Sequence, residues 1–431
     1  MNGRRRHRRS GRRGGHQGVV PSSSGQDGDD PFHLPGFYYD ASLKRYFRLT
    51  PGQNRHNPLT VASIEAKLSE KKCREVVEAS LKRCSSAALP RSLSRVQTGQ
   101  LRGDSLVASV HRTRMASLKS TLHARVTDGE ECVFLSGLRE SGIVVGAWAT
   151  ETGDGRRGTI VRSAEIGGSP SAGLRTIVTH SEHKVVDISL YQCPNGTKHA
   201  VYALVSSDCM SGVSSSLESR PINGANSMQT WSFGPEALRS CASSSGGQIL
   251  AVGMERGVRA LRPQDSGPAV DVWTRREEPL CLEFAGDGSL LLVGTHRGNV
   301  ICADLRDQPQ SKHAYKIALG RGVVSLRMTD SGSMLLASAY DGKLVSVDLR
   351  NQQVVQEFHG HCNNGLKTPL SYCAVDRTVC SAGHDRAVRL WRVGEDEPLT
   401  AFKPGSGQRQ PWPWYSSSLF CAVGNECLTF S

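Results

Sequence analysis

Short apolar runs, cut by Gly, Asn, Asp or Ser, recur along the C-terminal two-thirds of the chain. CVFL (132–135), GIVVGAW (142–148), LRTIVTH (174–180), KVVDISLY (184–191) and HAVYALV (199–205) are each followed by such a cluster. A break every eight to twelve residues is the spacing of short strands and tight turns in all-β architectures. Farther on, the runs become copies of one another. LLVGTHRGNVICADLR spans 291–306, LLASAYDGKLVSVDLR spans 335–350, and VCSAGHDRAVRLW spans 379–391. A shift of 44 carries Asp304 onto Asp348, and a second shift of 44 carries Asp348 onto Arg392. An earlier copy, ILAVGMERGVRAL (249–261), places Gly253, Arg256 and Gly257 41 residues before Gly294, Arg297 and Gly298. Near the end, Gly424 follows Gly383 by 41. A strand-rich repeat of about 40–45 residues marks a β-propeller blade, and about 300 residues at about 42 each make seven. The predicted fold is therefore all-β, a seven-bladed propeller over 131–431. Its ring must close, because an open array exposes strand edges that aggregate. Closure predicts that one strand from the N-terminal side pairs with the last blade.

The pattern is different before residue 131. Residues 1–33 hold almost no apolar side chains and predict a disordered, Arg-rich tail. Residues 34–90 predict an aromatic segment followed by a helix. Phe37, Tyr38, Tyr39, Tyr46 and Phe47 fall within eleven residues, between Pro-Gly pairs at 35–36 and 51–52. Aromatics clustered outside the repeats need a surface to dock on, either the side of the propeller or a partner protein. The helix over 60–89 is capped by Thr60, carries Ile64, Leu68, Val76, Val77 and Leu81 at roughly helical spacing, and stops at Pro90. Residues 91–130 read as a linker or an incoming strand. Residues 206–229, rich in Ser and Gly, read as a surface loop.

Composition narrows the function classes. The 431 residues are 38% apolar with 45 Gly, enough for a β-rich core with many turns. No run of eighteen apolar residues occurs, so no membrane span is expected. Arginines stand where a signal peptide needs an apolar region, which argues against secretion. The thirteen cysteines are scattered without a CxxC pair, so we expect reduced thiols and no zinc site, in a nuclear or cytoplasmic protein. Nothing resembles a P-loop or a complete dinucleotide fingerprint, and no cofactor is expected. The net charge is +13, but seven arginines and no acid lie in residues 1–20, so the other 411 residues carry only +6. That argues against a nucleic-acid-binding body. The tail itself suits nuclear localisation, a weak nucleic-acid contact, or simple solvation.

Two constellations carry candidate chemistry. His361, Ser381, Asp385 and Trp391 look like the hydrogen-bonded tetrad of WD repeats. In that arrangement Asp385, in the turn, takes the imidazole N–H, and Ser381 relays to the indole N–H of Trp391. The group contains His, Ser and Asp, yet a hydrolase serine would sit on an exposed, strained elbow, and no G-x-S-x-G accompanies it. It is read as structural, with no catalytic residue in the chain. The second constellation is Asp-x-Arg: Asp304 with Arg306, and Asp348 with Arg350. Each pair falls where the third strand of a blade leaves the sheet. Either the pair neutralises itself and staples neighbouring blades, or the arginine reaches out to a partner as a planar, bidentate donor.

The two sixteen-residue stretches resemble the box by which substrate receptors of the cullin-4 ubiquitin ligase bind its adaptor. In the second, Leu335, Leu336, Ala337, Ser338, Asp341, Leu344, Asp348 and Arg350 match, with Val347 in place of Trp. The first departs further, with Arg297 for Asp and Ala303 for Trp. The third has Trp391 but reads Arg392-Val393-Gly394 in place of Asp-x-Arg, and looks like a plain blade. The segment LPGFYYDASLKRYFRLTPGQNRHNPLT (34–60), followed by a Lys/Glu-rich helix, is similar to the start of the cullin-4-associated factor 4 family. The similarity extends over 34–68 and 280–431. It implies a non-enzymatic receptor that bridges the adaptor, damage-specific DNA-binding protein one, and through it cullin 4, to a protein substrate. Asp304, Arg306, Asp348 and Arg350 would then bind the adaptor, with helix 60–89 docked beside them and the substrate on the opposite face. The competing expectation is a WD-repeat scaffold outside the ligase, in a nuclear protein or ribonucleoprotein assembly.

Overall fold

A computed structural model describes residues 37–40, 45–48, 75, 97–98, 114–115 and, with short gaps, 117–430. The predicted tail 1–33 lies outside the described residues. So does the predicted helix 60–89, except for Glu75, which is helical. The chain divides into two units, Met1–Glu65 and Ala66–Ser431. In the first, the aromatic segment forms a hairpin. Phe37–Asp40 pairs antiparallel with Arg45–Arg48, and the register sets Tyr38 opposite Phe47 and Tyr39 opposite Tyr46.

Among the described residues, the second unit holds seven four-stranded antiparallel sheets. Blades 1 to 6 follow one another in sequence over 131–180, 183–234, 238–272, 279–318, 323–357 and 370–402. The first strands of successive blades pack against each other in a closed ring. Blade 7 takes Pro411–Tyr415, Leu419–Val423 and Glu426–Phe430 from the C-terminal end, and its outer strand is Ser120–Arg125. This is the expected closure from the N-terminal side. Thr121 stands opposite Thr429, and Arg125 opposite Glu426. The threonine hydroxyls are 2.8 Å apart, and the Arg125 guanidinium bonds the Glu426 carboxylate. The propeller therefore starts N-terminal to residue 131.

Why the strands read as unbroken apolar runs is visible in their packing. Side chains alternate between the two faces of a strand, and both faces of a blade are covered by neighbouring blades. Leu291, Val293, Ile301 and Ala303 face blade 3. Leu292, Val300 and Cys302 face blade 5. The buried core consists of seven apolar clusters, one between each pair of adjacent blades. Full burial of such a side chain contributes about 1.5–3 kcal/mol.

One expectation is corrected. Residues 206–229 are not a single surface loop, because Ser215–Pro221 is the buried third strand of blade 2. Its serines hid it. Leu217 is the one large apolar side chain, and Ser215 and Ser219 are buried by bonding Glu236 O and Tyr191 Oη.

The inner strands, and the segment leading into blade 6, also carry charges that periodicity did not reveal. Lys367 reaches Asp187 at 3.2 Å, pairing blades 6 and 2, and Arg327 reaches Glu283 at 3.1 Å. Asp187 also accepts from the backbone N–H of Cys241, and Glu283 from that of Met328. The space left among these groups is about 60 Å³, room for a few water molecules.

Candidate functional site

Both Asp-x-Arg pairs sit at the ends of third strands in adjacent blades: Asn299–Asp304 in blade 4 and Leu344–Asp348 in blade 5. Their geometries agree closely. Asp304 Oδ1 accepts from the backbone N–H and Nε of Arg306, both at 3.0 Å, and Oδ2 accepts from Nη2 at 2.7 Å. Asp348 accepts from the same three atoms of Arg350 at 2.9, 3.1 and 2.9 Å. The residue between them anchors the turn. Leu305 donates its N–H to Ser289 O and packs on the cluster toward blade 3, and Leu349 does the same with Ser333 O and the cluster toward blade 4. Strand, leucine and aspartate thus hold the guanidinium as a fixed plane pointing outward. The arginines are 70% and 77% exposed, against 21% and 11% for their aspartates. Hydrogen bonds from the arginine side chains, and then from their backbones, hold both carboxyls below the usual carboxylate range. The pairing raises Arg350 in turn.

The departures from the box have local explanations. In blade 5, Asp341 closes the turn before the third strand by accepting from Lys343 N–H at 3.2 Å. Blade 4 has Arg297 there, and its turn is held by a residue the pattern did not single out. Buried Glu277 accepts from Thr295 Oγ1, Asn299 Nδ2 and Lys316 Nζ, each at 2.8 Å. Burial alone would raise this carboxyl, but those three donors lower it. At the position of Trp391, Ala303 and Val347 occupy the same inter-blade layer.

The four tetrad residues converge in blade 6, but with different wiring from the expected one. His361 Nδ1 donates to Gly342 O at 3.1 Å, and Nε2 faces Ser381 Oγ at 3.2 Å. Both ring nitrogens are engaged. Asp385 instead takes Arg389, with Nη1 to Oδ1 at 3.0 Å and Nη2 on Oδ2, and also accepts from Ala387 N–H. Trp391 Nε1 donates to His359 O at 2.8 Å, not to Ser381, which bonds Pro369 O. The difference comes from Arg389. It lies opposite Ser381 in the register and is 1% exposed, so its charge must be neutralised within the blade, and Asp385 does so. Burial pushes the His361 imidazole down to about 4, so it is neutral.

Beside Arg350, Val354 and Val355 are exposed on the outer strand Gln353–Glu357, and Val375 is exposed on the first turn of blade 6. First-to-second and third-to-fourth connections of an antiparallel sheet lie on one face, so Val375, Arg306 and Arg350 share a face of the disc. Sequence periodicity did not mark these valines, because valine is ordinary in a strand. Among the described residues no group of three His, Cys, Asp or Glu is placed to hold a metal ion. The cysteines among the described residues are thiols outside any disulfide, nearly all of them buried. Among these residues no helix is long and apolar enough to cross a membrane.

No protein-family model matches the chain. Among solved structures, it is similar to the β-propeller domain of Cps50 (Swd1) from Myceliophteria thermophila. That likeness covers 73% of this chain and 99% of that one, with a TM-score of 0.54 at 13% identity, and it bears on the fold alone. Two curated relatives align over nearly the whole length. DDB1- and CUL4-associated factor 4 of Bos taurus is 25% identical over 94% of this chain and 87% of its own. Its counterpart in Homo sapiens is 25% identical over 95% and 89%. With its closed ring of seven four-stranded blades, the chain is similar over nearly its whole length to DDB1- and CUL4-associated factor 4 of both species.

Proposed function

We propose that this protein is a substrate receptor of a cullin-4 ubiquitin ligase, and that Arg306 and Arg350 contact the adaptor DDB1. The observation that carries the reading is the repeated geometry of the two pairs. Each aspartate spends three acceptor sites on one arginine and leaves its guanidinium oriented and exposed, on one face of two neighbouring blades. A pair meant only for stability gains little from such exposure, since solvent screens it. A pair meant for recognition gains pre-organisation, because the side-chain entropy is lost before binding. The names of both relatives state association with DDB1 and CUL4.

In this reading the propeller does no chemistry. It holds a target near the charged ubiquitin, and the gain is in effective concentration. The loops of the face opposite Arg306 and Arg350 present the substrate, as loops on a rigid scaffold commonly do. Co-precipitation from cells tests the assignment. The wild-type chain is expected to recover DDB1 and cullin 4, and Arg306→Ala/Arg350→Ala to lose both while keeping its melting temperature. Undiminished recovery by the double variant would remove the arginines from the interface. Absence of DDB1 from the wild-type precipitate would favour the scaffold outside the ligase.

A further inference from the structure

A second cleft lies on the same face of the disc as Arg306 and Arg350, between blades 2 and 3. It is built by the turn after His183–Gln192, the turn after Leu238–Ser243, and the segment leaving Gly257–Leu261. Its volume is about 750 Å³, within the range of ligand clefts. Tyr191 and His199 stack as its floor, with ring centroids 5.0 Å apart and planes at 9°. Gly247 makes that floor possible. A Cβ there would stand 2.0 Å from the Tyr191 ring, and its φ of +70° favours glycine in any case. Tyr191 Oη is fixed in turn by Ser219 Oγ at 3.1 Å.

The chemistry of the walls selects the ligand. The described lining carries Arg262 and the carboxamides of Asn195, Gln229, Gln248 and Gln264, and it includes no carboxylate. Guanidinium and amide N–H groups donate to carboxylates and to peptide carbonyls, and nothing in the described lining repels an anion. We infer that this cleft binds a short acidic peptide segment of a partner protein. The carboxylate meets Arg262, and the peptide backbone meets the carboxamides. The site is separate from the paired arginines and stands or falls without them.

The half-buried thiol of Cys193 lines the cleft and reports its occupancy. In the full-length protein, alkylation of Cys193 by iodoacetamide is followed by peptide mass mapping, with hexaglutamate or hexalysine added. Reading one residue excludes peptide bound to the Arg-rich tail. Hexaglutamate at about ten times its half-protecting concentration should slow the reaction about tenfold, since only the empty cleft reacts. Arg262→Glu, and more mildly Arg262→Gln, should raise that concentration, by about tenfold for the reversal. Arg306→Glu/Arg350→Glu should leave it unchanged. No protection by hexaglutamate, equal protection by hexalysine, or protection intact in Arg262→Glu would overturn the proposal.

Discussion

At the scale of single residues, the buried charges of blade 6 are the most exacting feature. Arg389 and Asp385 are 1% and 6% exposed, and each neutralises the other. Removing one partner strands the other, so Asp385→Ala should cost about 3–5 kcal/mol, measured by chemical denaturation. A double change to Asp385→Ala/Arg389→Leu should recover much of that loss, because no unpaired charge remains. His361 supplies a pH signature. Its folded value of about 4 lies below its ordinary 6.5, so the unfolded chain binds the proton more readily in that interval. Stability from this group is therefore full above pH 6.5 and is lost as pH falls toward 4, by on the order of 3 kcal/mol. His361→Gln should flatten that part of the curve, leaving the slope of the same sign from His123, His180 and His199, which burial also lowers. The sequence made His361, Ser381, Asp385 and Trp391 legible as a cluster but not their wiring. Arg389 occupies a strand position in AVRLW that reads as outward-facing, and only the register shows it turned inward beside Ser381.

At the scale of elements, what was legible followed from repetition. Asp304 and Asp348 sit 44 residues apart, and the structure gives them matching turns, with Leu305 and Leu349 anchored in the same way. Repetition marked the exposed arginines because equal spacing in a propeller means equal position in successive blades. Elements whose support comes from elsewhere were not legible. Glu277 replaces a turn aspartate from outside the box, and only contacts reveal it. Ser215–Pro221 is a strand whose buried serines bond Glu236 O and Tyr191 Oη, so its composition resembles a loop. The outer strand Ser120–Arg125 pairs with residues some 300 positions away, beyond any local signal. Its deletion should leave Glu426–Phe430 as an unpaired edge. The expected cost is several kcal/mol, at roughly 1 kcal/mol per lost hydrogen bond with added loss of packing. Thermal melting and light scattering should show a lower transition and aggregation. An unchanged melt would mean that the ring does not depend on this closure.

At the scale of the whole molecule, seven interfaces of similar construction join the blades of the second unit into a rigid ring, and function is left to what the faces of that ring present. Three observations converge on one of those faces: two fixed arginines, the exposed Val375, and the cleft between blades 2 and 3. Rigidity matters because a receptor works by geometry. A target held loosely gains less in effective concentration than one held at a fixed distance. The paired arginines are the part of this picture most exposed to refutation, and binding of the purified chain to purified DDB1 addresses them directly. If Arg306 and Arg350 are central to that interface, Arg306→Glu and Arg350→Glu should each weaken binding by about 2 kcal/mol or more, roughly thirtyfold. The double variant should abolish it, with the propeller's melting temperature preserved. A double variant that folds normally and binds DDB1 with the wild-type Kd would contradict the assignment.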